Sequence, residues 1–108
     1  MVLLEEVQKK RSGLRGWVTR SVKELEEVVA EPDATSKEIE LAIRDFNHRL
    51  DQLDGVQGEV ELLLDDPQMS ADIEEADKFR RQTRKALFAA EIKLDKLVNR
   101  NSTHPAES

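Results

Sequence analysis

The sequence predicts an all-α fold, an elongated antiparallel three-helix bundle with up-down-up, coiled-coil-like packing. Three observations predict it. Charged residues make up 37% of the 108-residue chain and aromatic residues 4%, with Leu, Val, Glu, Lys and Arg abundant, the composition of long amphipathic helices rather than of a β-sandwich. Apolar residues recur at steps of three and four through most of the chain, the period of one helix face. The three prolines stand at positions 32, 67 and 105, each where a helix is expected to start or stop.

The first helix is expected over about 2–30. Leu4, Val7, Leu14, Val18, Leu25 and Val28 form one apolar seam, which Arg11 and Ser21 interrupt. The second is expected over about 36–66. Thr35 and Glu38 have the spacing of a capping box, in which the hydroxyl accepts from a free backbone N–H and the carboxylate reaches back. Ile39, Ile43, Phe46, Leu50, Leu53, Val60 and Leu64 continue the pattern, with Gln57 at one seam position, until "DDP" stops it near Asp66. The third is expected over about 70–99, with Asp72 placing negative charge in its first turn. It carries Ile73, Ala76, Thr83, Leu87, Ala90, Leu94 and Leu97, and residues 100–108 read as a flexible tail or linker. Helices of roughly thirty residues are about 45 Å long, and short links make neighbours antiparallel. The basic start of the first helix then meets the acidic end of the second, each compensating the other. Residues 1–99 read as a single domain. The heptad pattern equally allows a helical hairpin that dimerises into four helices.

Net charge is −6 and cysteine is absent, which excludes disulfides and thiolate metal sites. The acidic N-terminal stretch with its short apolar start fits neither a signal peptide nor a membrane span, so an intracellular, cytoplasmic protein is expected. The negative charge disfavours nucleic-acid binding by the whole surface.

No spacing suggests a catalytic triad or a nucleophile with lowered pKa, and the chain reads as non-catalytic, without cofactor or metal. Asp45 and His48 share a helix face, but a carboxylate-bridged metal pair would need further Glu-x-x-His motifs; a solvent-exposed histidine beside an acid is the expectation. "GLRG" at 13–16 matches the backbone-clamping loop of KH domains, which requires strands that the chain does not predict. Counting outward from the turn at 32–35 puts Gly13 level with Gly55. The pairs at 13/16 and 55/58 read as spacing that makes room for Trp17 and Phe79, at roughly 1 kcal/mol per interior glycine. Trp17 is a core residue in that reading and an aromatic anchor for a partner if it is exposed. "NST" at 101–103 has the form of a glycosylation sequon.

One charge constellation is a candidate contact surface. With the first and third helices parallel, Lys9, Lys10, Arg11 and Arg15 come level with Lys78, Arg80, Arg81, Arg84 and Lys85, a basic collar able to meet an anionic surface, membrane or RNA, or an acidic partner. Glu59, Glu61, Glu74, Glu75 and Asp77 at the same level are the groups that would neutralise it.

Three stretches together resemble a known family. "RSGLRGWVTRSVKELEEVV", "LDQLDGVQGEVELLLDD" and "DIEEADKFRRQTRKAL" are similar, in that order, to the three helices in the N-terminal region of Gag-like polyproteins of Pao/BEL-type LTR retrotransposons. The similarity covers about residues 5–97. It implies a helical, coiled-coil-forming segment for self-association or contact with another helical protein, with no catalytic residues to transfer. The chain departs from the pattern in having no capsid-like region or zinc knuckle, and Trp17 is less typical of it. Spectrin-type repeats and the N-terminal regulatory domains of syntaxin-like SNAREs also place a tryptophan in the first of three helices, a looser resemblance that implies an adaptor bundle.

Overall fold

A computed structural model describes residues 3–101. Three helices account for nearly all of them: α1 (Leu3–Ala30), α2 (Ser36–Leu63) and α3 (Asp66–Asn101). They pack pairwise into a rod of 64 × 21 × 17 Å. α1 and α3 run parallel and α2 runs against both.

The turn after α1 is closed by the expected capping box. The Glu38 N–H donates to Thr35 Oγ1 at 3.1 Å and the Thr35 N–H donates to Glu38 Oε1 at 2.9 Å, so two backbone donors that helical bonding leaves free are satisfied. The end of α1 has no basic residue in its last turn. Lys93 of α3 supplies one, its Nζ donating to the carbonyls of Val28, Val29 and Glu31 at 2.8, 3.0 and 2.6 Å. A charge from another helix therefore meets the negative end of α1.

The second boundary differs from expectation. α2 ends at Leu63 rather than Asp66, and α3 begins at Asp66 rather than Ser70. Pro67 opens α3 instead of closing α2, since in the first turn its missing N–H has no intrahelical partner to lose. Asp65 caps the new start, its Oδ1 accepting from the Gln68 N–H at 3.3 Å. α3 continues two residues past Asn99, and the rest of the expected tail, most of the "NST" triplet included, lies outside the described residues.

The predicted seams build the core. Val18, Leu25, Ile39, Phe46, Leu53 and Ala90 are buried together, with Leu14, Ile43, Leu50, Leu87, Leu94 and Leu97 packed against them. Each large aliphatic or aromatic side chain removed from water contributes about 1.5–3 kcal/mol. Among the expected seam residues Ile73 is the exception: it is exposed, while its neighbour Asp72 meets Arg11.

Candidate functional site

The two seam interruptions on α1 are buried. Ser21 Oγ donates to Asp45 Oδ2 of α2 at 3.4 Å. Arg11 sits where all three helices meet: its Nη1 donates to Gln57 Oε1 at 2.9 Å and to Asp72 Oδ2 at 2.7 Å. Gln57 Nε2 donates in turn to Asp72 Oδ2 at 2.7 Å and to Glu61 Oε2 at 3.0 Å. The Arg11 and Asp72 side chains are only 11% and 13% exposed, so the pair is shielded from water on both sides. Burial works to raise the Asp72 pKa, yet the hydrogen bonds from Arg11 and Gln57 and the charges of Arg11 and Arg15 outweigh it and hold the carboxyl below the usual carboxylate range.

This layer removes Arg11 from the expected basic collar. The collar is also split along the rod. Arg11 contacts Asp72, and Arg15 lies over the Phe79 ring, its guanidinium carbon 5.4 Å from the centroid, so Lys9 and Lys10 stand level with the first turns of α3. Lys78, Arg80, Arg81, Arg84 and Lys85 come level with the middle of α1, more than a turn from Lys9 and Lys10, while Arg15 keeps the expected level beside Lys78 and Arg80. Several collar cations have acidic neighbours: Arg15 has Glu75 at 3.8 Å, Arg80 has Asp54 at 3.4 Å, and Arg81 has Asp77 at 2.7 Å. Lys9, Lys10, Lys78, Arg84 and Lys85 are exposed.

Between α2 and α3 runs a groove of about 350 Å³, bordered by Arg15, Arg80, Phe79, Ile73, Asp54 and Gly58. Nitrogens of Arg15 and Arg80 on its wall are shielded from solvent without a hydrogen-bond acceptor. Burial pushes the Asp54 carboxyl up, against the lowering influence of Arg80. Glu61 and Asp77 also line the groove, so three carboxylates face two guanidiniums and the groove selects neither sign of ligand.

Trp17 is the clearest surface feature. The residue is 44% exposed, and two guanidiniums lie over its indole, that of Arg20 at 4.8 Å and that of Arg49 from α2 at 4.4 Å. Cations at this range are drawn to the electron-rich ring face. Trp17 and Arg15 are two residues apart and so lie on nearly opposite sides of α1; Arg15 faces α3 and Trp17 faces the flank of α2. The expected use of the glycines as core spacing does not hold. A Cβ at Gly13, Gly16, Gly55 or Gly58 would meet no atom within 4 Å, so these positions face open space. Gly13 and Gly55 do come level, because Arg11 meets Gln57 and Ser21 meets Asp45, but their faces do not meet. Gly13, one turn before Trp17 on the same side of α1, leaves bare backbone beside the indole.

His48 is exposed and its neighbour Asp45 is turned to Ser21 and Arg49. Among the described residues no group of three or more His, Asp or Glu is placed to hold a metal ion, and no helix is long and apolar enough to cross a membrane. No family model matches the chain, and no curated protein or solved structure matches it.

Proposed function

We propose that the chain is a non-catalytic protein-interaction module that engages a partner through the surface centred on Trp17. The half-exposed indole beneath two guanidiniums carries this reading. Tryptophan and arginine are the residues most enriched at energetic centres of interfaces, and here the guanidiniums of Arg20 and Arg49 already lie against the ring without a partner. Such pre-ordering reduces the entropy lost on binding. The bare backbone at Gly13 and Gly16 gives the partner room to approach. The chemistry suits a helix with an apolar side chain for the indole and carboxylates for the two arginines. A role as a helical assembly segment, which the Gag-type resemblance implies, is the same kind of function. The anionic-surface alternative is less supported, since Arg11 is consumed inside the bundle.

The chain contains one tryptophan, so its emission reports this surface alone. Selection of helical peptides from a library should enrich acidic-apolar sequences that shift the Trp17 emission and lose binding with Arg20→Glu or Arg49→Glu. A library that yields no binder, or binders indifferent to both reversals, overturns the proposal.

A further inference from the structure

The outward side of α3 carries a second stripe that the bundle does not use. Arg81, Lys85, Phe88, Ile92, Asp95 and Asn99 follow one another at steps of four and three, the spacing of a coiled-coil seam, and all six are exposed. Phe88 and Ile92 at its centre are 53% and 56% exposed. The core face of the same helix, with Thr83, Ala86 and Ala90 buried, lies on the opposite side. The order of the stripe is basic, basic, apolar, apolar, acidic, polar.

We infer that this stripe pairs with the same stripe of a second copy of the chain, with the two α3 helices antiparallel about a twofold axis near Ala90. The charge order is what selects this occupant. Reversing the stripe about residue 90 sets Phe88 against Ile92, Lys85 against Asp95 and Arg81 against Asn99, each twice, as an isologous interface requires. A parallel pairing would set Lys85 on Lys85 and Asp95 on Asp95, and like charges at facing positions oppose association. Glu91 flanks the axis and meets its own copy there, so the dimer is weak and concentration-dependent, in the class of small transient interfaces. This surface is separate from the Trp17 flank, which α1 and α2 form on the far side of the rod. Dimerisation would therefore present two Trp17 surfaces at once.

Sedimentation equilibrium of the full chain from micromolar to near-millimolar concentration tests the pairing. Lys85→Glu and Asp95→Lys should each weaken the dimer by about tenfold or more, and the two combined should return it to within about threefold of the parent, as complementary reversal requires. Circular dichroism melts of each variant confirm that the bundle is intact, as expected for exposed positions. Because the chain has no cysteine, Arg81→Cys gives a single spin-label site. Antiparallel pairing places the two labels roughly 27 Å apart along the axis, eighteen residues at 1.5 Å each. A monomer at every concentration, single reversals without effect, a combination no better than either single change, or labels in close lateral contact would each overturn the inference. Trp17→Ala should leave the dimer unchanged, so failure here and failure of the Trp17 surface are read separately.

Discussion

Gly13 and Trp17 are one turn apart and pose opposite substitution problems. Gly13 is helical with open space where a side chain would stand, so its cost is entropic and nothing in the fold requires it. Gly13→Ala is expected to stabilise the chain by about 1 kcal/mol, seen as a rise of several degrees in the melting midpoint. Its removal of bare backbone should at the same time weaken partner binding at the indole. Trp17→Ala should cost about 2 kcal/mol, below the roughly 3–5 of a buried aromatic, because nearly half of the residue is already in water. Chemical denaturation of the two variants measures both effects. Counting outward from the turn at 32–35 places Trp17 at its height along the rod, but the core reading of its indole, which rests on the glycines as spacing, does not hold. The roll of a helix about its own axis decides whether a flank position is covered, and that roll is set by neighbours. Here Arg49, contributed by α2, stacks on the ring and leaves the indole half in water.

The helices illustrate which boundaries are local. The start of α2 was legible because both halves of its cap, Thr35 and Glu38, lie within one turn of sequence. The start of α3 was not, since Pro67 is compatible with the end of one helix or the first turn of the next. The cap on α1 was invisible for a different reason: Lys93 is separated from Val28 by most of two helices. Thr35→Ala should cost about 1 kcal/mol. Lys93→Met keeps the aliphatic stem and removes the charged donor; it should cost about 2 kcal/mol, as expected for hydrogen bonds from a charged group. Hydrogen exchange distinguishes the two. Loss of the Thr35 cap should speed exchange at the first turn of α2, whereas loss of Lys93 should do so at the last turn of α1.

At the scale of the bundle, the polar layer fixes the three helices along one another. Arg11 and Gln57 each stand out as a polar residue at an apolar position, but the meeting of Arg11 with Gln57 and with Asp72 spans separations of 46 and 61 residues that no local pattern encodes. A one-turn slip of any helix would leave charged groups buried without partners, so the layer favours a single register. It also sets the response to acid. The Asp72 pKa lies below its ordinary value of 3.8 in the folded chain, so near that value the unfolded chain binds the proton more readily than the folded one. The contribution of Asp72 is therefore full above the ordinary carboxylate value and is lost as pH falls through the lowered one. Asp54 acts in the opposite sense. Its pKa is raised, so the folded chain takes up that proton first, and stability gains slightly as pH falls from the raised value toward 3.8. Denaturation midpoints measured from neutral to strongly acidic pH should rise slightly and then fall. Asp72→Asn should lower stability at neutral pH and flatten the acid fall, because the group that loses its charge is gone; Asp54→Asn should remove the small rise and leave the fall in place. A profile in which Asp72→Asn falls as steeply as the parent would assign acid sensitivity to other carboxylates and leave the layer with a role in alignment alone.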